Sequence, residues 1–262
     1  MYHGTPPRVA RDLERQLRFV ARWCDVVPLG ELAKSPKGNG RKRVALTFDD
    51  GLRTNVSVAY PILRKLGLHG TFFVCPGLIE RGEWLWNHEA RQRLLALNGK
   101  TPEEVEAFVE WMKTLNLAAR NSVEAQLRAA TPRFKPTPAQ REEFDLASWD
   151  ELRSLDPKVV SIGSHTMTHP ILTSLAPSET EAELRDSRQA IEKQTGRAAD
   201  LFCYPNGDFG DDTLQSVRKH YRAAVTVSAK PLKEWDAHRL PRIGAPGPGM
   251  RGMLRLAKQL LV

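Results

Sequence analysis

Val44-Ala45-Leu46-Thr47-Phe48-Asp49-Asp50-Gly51 is an apolar run that stops at two adjacent carboxylates and a glycine. β-Forming residues bounded by Asp-Asp-Gly predict a buried strand whose C-terminal end opens into a turn. In α/β folds that end of a parallel strand is where ligands sit. Asp-Asp-Gly also suits an ordinary turn, because Asp and Gly are favoured in turns on conformational grounds alone. A second stretch decides between the two: Ser161-Ile162-Gly163-Ser164-His165-Thr166-Met167-Thr168-His169-Pro170. Val159, Val160 and Ile162 predict another strand, so His165 and His169 also fall just past a strand end. Two imidazole nitrogens and one carboxylate oxygen are a sufficient protein shell for a catalytic divalent cation, with positions left for water. An isolated His-x-x-x-His is often coincidence; the conjunction with Asp-Asp-Gly gives it weight.

The 262 residues suit one large α/β domain with room for an insertion and a substantial core. A formal net charge of +8 permits attraction to nucleic acid, anionic glycans or membranes, but the cations are dispersed and Arg41-Lys42-Arg43 is the longest basic run. Without interleaved aromatics, no nucleic-acid partner is expected. The three cysteines, Cys24, Cys75 and Cys203, are far apart and odd in number, which argues against a disulfide framework. No window is long enough for a transmembrane helix. The N-terminal stretch carries Arg8, Arg11, Asp12, Glu14, Arg15 and Arg18 with no apolar core, so a signal peptide is not expected and the expected location is cytoplasmic.

In chain order, Val9, Leu13, Leu17 and Val20 predict an amphipathic helix, Cys24 to Leu29 a short strand and Ser35 to Gly40 a loop. Thr54 to Leu66 reads as a helix stopped by Gly67, and Thr71 to Cys75 as the next strand, making a parallel crossover. Glu83 to Asp145 changes character, with Thr101-Pro102-Glu103-Glu104 as a helix start and Val105, Phe108, Val109 and Met112 as an apolar face. This predicts a mainly helical insertion, 83–145. Trp84 and Trp86 within it are candidate sugar-stacking platforms, Trp111 a helix-packing residue, and His88 can line the cleft. Ser148-Trp149-Asp150-Glu151 and Ser178-Glu179-Thr180-Glu181 have the form of capping boxes. Leu201 to Tyr204, Asp212 to His220 and Ala223 to Val227 predict strand, helix and strand, and Met250 to Leu261 a last helix. Alternation of this kind, with no internal sequence repeat, predicts an α/β barrel.

These residues resemble the polysaccharide deacetylases of carbohydrate esterase family four. Thr47-Phe48-Asp49-Asp50-Gly51 is similar to the family's first motif, His165-Thr166-Met167-Thr168-His169 to its second, and Phe202-Cys203-Tyr204-Pro205-Asn206-Gly207 to a third. Ala59-Tyr60-Pro61-Ile62-Leu63, Gly70-Thr71-Phe72-Phe73-Val74 and Leu240-Pro241-Arg242-Ile243 look like members associated with exopolysaccharide synthesis. The resemblance covers about residues 41 to 82 and 146 to 244. It implies one domain over 1–262, an irregular (β/α) barrel with fewer than eight repeats. It further implies a hydrolase that removes N-acetyl groups from an amino-sugar glycan in the bacterial cell envelope.

By the same resemblance Asp50, His165 and His169 hold a divalent metal, zinc first, with cobalt, nickel or manganese as alternatives. Asp49 is the general base, Thr166 steadies the loop, and Tyr204 offers its backbone N–H to the oxyanion beside Pro205; Trp86 joins them as a substrate-stacking candidate. Two departures stand out. The arginine that many members place before the aromatic-Pro pair is Cys203 here, so another group must orient Asp49. The family's late histidine, the general acid, has no recognisable match; His238 is assigned that role, with His3 as the other candidate. Deacylation of a lipid-linked amino sugar or another amide, and a glycan-binding module without turnover, are the alternative functions.

Overall fold

The computed structural model describes residues 1–261 except Lys37, Asn39, Asn98 and Pro231, so two positions of the expected 35–40 loop lie outside the described residues. Helix α1 (Ala10–Trp23) leads into strand β1 (Asp25–Val26), helix α2 (Leu29–Lys34), and strands β2 (Arg43–Val44) and β3 (Leu46–Phe48). The opening apolar run is therefore not one strand. Val44 pairs with Val26 in a small two-stranded sheet, and Leu46–Phe48 belongs to the main sheet. A π-helical turn, Asn55–Ala59, continues into α3 (Tyr60–Leu66), which stops at Gly67 in the left-handed conformation. Then come β4 (Gly70–Val74), α4 (Pro76–Arg81) and four helices, α5 (Trp86–Ala96), α6 (Pro102–Lys113), α7 (Leu117–Ala130) and α8 (Pro138–Phe144). The chain returns through α9 (Trp149–Arg153), β5 (Val160–Ser164), α10 (Pro177–Thr195), β6 (Leu201–Cys203), α11 (Asp211–His220), β7 (Ala223–Val225) and α12 (Gly249–Leu261).

Five parallel strands in the order β3-β4-β5-β6-β7 form a curled half-barrel. Two segments outside the strands bridge its open side. Tyr2 pairs with Phe48 and Leu240 pairs with Val225, while the Ala245 N–H donates to the Met1 carbonyl at 2.8 Å. The fold is thus the incomplete (β/α) barrel expected from the sequence.

The two-residue period of the strands sorts side chains into an interior set and an exterior set. Phe72 and Val74 of β4 and Val160 and Ile162 of β5 pack outward with Leu13, Leu17, Leu63, Leu152 and Ile191 of the surrounding helices. Phe73, Leu201, Cys203, Ala223 and Val225 pack together on the other face. Gly163 lies where the Phe73 ring crosses β5: a Cβ there would sit 2.6 Å from Phe73 Cε1 and 2.9 Å from the Leu201 carbonyl oxygen. By this alternation Asp49, His165 and Cys203, at the C-terminal ends of β3, β5 and β6, belong to the interior set.

The helices of 86–144 have their own core of Trp86, Leu94, Val105, Val109, Met112 and Leu127. Thr101 caps α6 with Pro102 at the first position and Glu104 closing the capping box, and Ser148 does the same for α9 with Glu151. At α10 the box is shifted from the Ser178 expected: the cap is Ala176, whose N–H donates to the Glu179 carboxylate at 2.8 Å, because Pro177 takes the first helical position. Trp111 is half-exposed against Phe108 rather than packed between helices.

Candidate active site

At the end of β3 the Asp49 N–H donates to the Tyr2 carbonyl at 2.9 Å, and its side chain follows the interior set. Asp50 and Gly51 then take left-handed backbone, with φ of 74° and 69°. That reversal, rather than alternation along extended chain, separates the two carboxylates. Gly51 is required on two counts: its φ, and Val74, whose Cα and Cβ would lie 3.2 and 3.1 Å from any added Cβ.

Asp50, His165 and His169 are all buried, and their ligand atoms lie within 4.8 Å of one another. His165 Nε2 is 3.6 Å and His169 Nε2 3.7 Å from Asp50 Oδ1. The His165 Nδ1 is 2.7 Å from the Cys203 carbonyl, which can only accept, so Nδ1 carries the proton and Nε2 keeps its lone pair for a cation. Burial lowers the pKa of both imidazoles, and burial together with the neighbouring His165 brings His169 down to about 3. Neutral imidazoles beside a carboxylate are the donor set that a divalent cation requires, and these residues fit one.

Thr166 and His169 both have positive φ, 67° and 57°. Thr166 secures the turn between them: its hydroxyl donates to the His165 carbonyl and accepts the His169 N–H at 3.0 Å, and its own N–H reaches Ser164 Oγ at 3.2 Å.

The depressed imidazole values have a consequence for the metal-free protein. Unfolded histidine takes up its proton near 6.5, whereas buried His169 does so only near 3, so the unfolded state binds more protons throughout that interval. Stability is complete above about pH 6.5 and declines by about 1.4 kcal/mol per pH unit for this group as pH falls. Urea unfolding of the metal-free chain at pH 7 and pH 5 is expected to show a clearly lower midpoint at pH 5; equal midpoints would contradict the buried, neutral imidazoles.

Asp49 is clamped by Arg242, a residue that motif reading left without a role. Its Nη1 lies 2.6 Å from Asp49 Oδ1 and its Nη2 2.8 Å from Oδ2, a bidentate pair. The same guanidinium donates to the Thr226 carbonyl at 2.6 Å, Thr47 Oγ1 at 3.2 Å and Cys203 Sγ at 3.1 Å. Burial opposes the charged form of Asp49, but the Arg242 charge and hydrogen bonds outweigh it and hold the carboxyl well below the usual carboxylate range. Burial pushes the Cys203 thiol well above its ordinary value, so it stays a neutral neighbour. The orienting arginine is therefore present, supplied from the segment after β7.

Several expected assignments change. His238 is not brought to the site: its Nε2 bonds the Tyr221 carbonyl at 2.9 Å, beside the N-terminal end of β7 and so at the opposite end of that strand. His3 is at the site, with Nε2 3.8 Å from Asp49 Oδ2 and a half-exposed ring. Tyr204 belongs to the outward set; its ring is fully buried against Phe209 and Phe202, and its N–H is spent on the Val225 carbonyl at 3.2 Å. Pro205 is buried beside it. Trp86 is buried too, with its indole N–H on the His169 carbonyl at 3.0 Å, and Trp84 Nε1 donates to Asp145 at 2.8 Å, so neither offers a stacking face to a sugar. His88 is packed on Phe144, 5.0 Å between rings.

Comparison with known proteins agrees with this fold. The family model described as polysaccharide deacetylase matches residues 37–225. YxkH of Bacillus subtilis (strain 168), named for the same family, is 22% identical over 218 residues, which are 82% of this chain and 56% of that protein. The chain thus spans little more than half the length of that curated relative. Among solved structures, the Streptococcus pyogenes deacetylase PplD in complex with acetate superposes with a TM-score of 0.65 at 20% identity, covering 98% of this chain and 95% of that one. IcaB from Ammonifex degensii gives a TM-score of 0.65 at 18% identity, covering 100% and 95%. A match over more than half its length, on residues that converge in three dimensions, makes this chain a member of the polysaccharide deacetylase family.

Proposed function

We propose that this chain is a metal-dependent hydrolase that removes N-acetyl groups from an amino-sugar polysaccharide or oligosaccharide, with 83–145 a helical insertion in a single domain. The observation that carries the reading is the buried Asp50, His165 and His169 set beside a carboxylate, Asp49, that Arg242 keeps ionised. Those three residues would hold the metal, zinc first, which when bound polarises the acetyl carbonyl and lowers the pKa of water to about 7.

The protein's own groups supply the rest. Asp49, ionised and fixed in orientation, takes the proton from the attacking water. His3, within 3.8 Å of Asp49 and open to solvent on its other side, gives a proton to the departing amine nitrogen. The backbone donor for the oxyanion passes from Tyr204 to Asn206, whose N–H has no acceptor among the described residues and whose φ of 57° turns the peptide out of the strand direction. Cys203 keeps its carbonyl on His165 and its small side chain leaves room for the Arg242 guanidinium.

The glycan-binding alternative drew its support from a missing arginine and an unassigned acid; Arg242 on Asp49 and His3 beside it are candidates for both roles and favour turnover. The substrate class is tested with N-acetylglucosamine oligomers, peptidoglycan and O-acetylated xylan offered in parallel. Acetate release from an N-acetylated glycan is the expected result; release from the O-acetylated xylan alone would replace the amide reading with an ester one.

A further inference from the structure

His165 and His169 are held in different ways. His165 has the second hydrogen bond usual for a metal-binding imidazole, Nδ1 to the Cys203 carbonyl. The His169 Nδ1 is buried and has no hydrogen-bond partner among the described residues. Nothing fixes this ring through its own second nitrogen, so its place depends on the backbone that carries it. That backbone is strained, with positive φ at Thr166 and His169, and such conformations persist only where the surroundings hold them.

Contacts from outside the loop supply the hold. From α10, the Glu183 carboxylate accepts the Met167 N–H at 2.6 Å, the Thr168 N–H at 3.2 Å and the Thr168 hydroxyl at 2.8 Å. From the helical segment 86–144, the Trp86 indole N–H donates to the carbonyl of His169 itself. The indole is in turn fixed: it is 5% exposed and carries the Arg120 guanidinium 4.9 Å from its ring centroid, with Arg120 Nε on Glu124 at 3.1 Å. A chain of named contacts thus runs from α7 through Arg120 and Trp86 to one ligand of the candidate metal site.

We propose that Trp86 is a positioning residue for the metal site: its N–H holds the His169 backbone in place, so that the helical segment 86–144 sets the affinity of the site for its cation. The proposal rests on the metal reading above, and its test separates the two. Zinc affinity of the full-length protein would be measured by competition with a chromophoric chelator, with thermal stability recorded alongside. Trp86→Phe keeps an aromatic ring in the core but removes the N–H together with part of the indole's bulk, a loss of volume that the control below shares; it is expected to weaken zinc binding by about 10-fold or more, the scale found for partners of metal-binding histidines.

Trp84→Phe is the control. It removes an indole N–H from the same segment, but one bonded to Asp145, and is expected to leave zinc affinity unchanged. Arg120→Met, which leaves the indole N–H and removes the cation over the ring, is expected to weaken binding by about two- to threefold and decides the matter if Trp86→Phe does not fold. Wild-type affinity in Trp86→Phe, or in Arg120→Met if only that variant folds, would overturn the proposal while leaving the metal site intact. An equal loss in Trp84→Phe would overturn it by showing a general loosening of the segment. A wild-type protein that binds no zinc would overturn the metal reading itself and this proposal with it.

Discussion

Arg242→Met is expected to reduce deacetylation by about 100-fold or more, the range over which a positioned general base contributes. Three effects act together. The guanidinium fixes both oxygens of Asp49, so its loss frees the carboxylate to rotate away from the water that it deprotonates in the proposed mechanism. Burial opposes the charged form of Asp49 and Arg242 is the largest force against it, so without the cation the carboxyl pKa rises. The proposed base must be ionised to act, so the acid limb of the rate profile is expected to move to higher pH. Finally, a buried anion left without its partner costs about 3–5 kcal/mol of stability.

A lysine at the same position restores charge but not the two-pronged geometry, so Arg242→Lys is expected to recover stability more than rate. The double variant Asp49→Asn/Arg242→Met removes both charges and should be more stable than Arg242→Met alone, yet inactive. Thermal melts and pH–rate profiles of the four proteins check each part. An Arg242→Met enzyme with wild-type rate and an unmoved acid limb would show that the clamp has no catalytic role.

His3→Ala is expected to lower kcat by about 100-fold or more, with the loss concentrated where the amine must leave protonated. His238→Ala is expected to leave the rate near wild type, because the His238 ring is engaged with Tyr221 at the far end of β7. His3 is half-exposed, so its removal carries little stability cost, and the two variants can be compared without a folding artefact. The opposite order, a silent His3→Ala and a dead His238→Ala, would reverse the assignment of the acid.

Local pattern carried the later strands of the main sheet, β4 to β7, the helix caps at Thr101 and Ser148, and the three candidate donors at strand ends, because each of these is written in neighbouring residues; the strand expected over Cys24 to Leu29 is only Asp25–Val26, since Leu29 already opens α2. Asp49 and His165 could be placed by the two-residue period of a strand alone. Arg242 could not: its partner is 193 residues away, and only the segment that bridges the open side of the barrel brings the two together. The stretch Leu240-Pro241-Arg242-Ile243 stood out by resemblance, without a sign of what its arginine touches. His238 and His3 both sit near strand ends in sequence, and which end of the barrel each occupies is a matter of topology, not of residue type.

Tyr204 and Trp86 show the other limit. Tyr204 is expected to give its backbone N–H to the oxyanion and Trp86 to stack on a sugar; yet one follows the outward set of β6 and the other fills the core of 86–144. The apolar payload of an indole makes burial its default, and its N–H then finds a carbonyl, here that of His169. The break at Ala45, between β2 and β3, was hidden because a continuous apolar run looks the same whether it serves one sheet or two.

Acetate release from N-acetylglucosamine oligomers, measured as zinc is returned to metal-stripped protein, tests the central claim most directly. The account predicts no release without metal, release that rises to a plateau at one zinc per chain, and none at any zinc level from Asp50→Ala or Asp49→Asn. Release that is undiminished in the metal-stripped protein, or retained by Asp50→Ala, would contradict it.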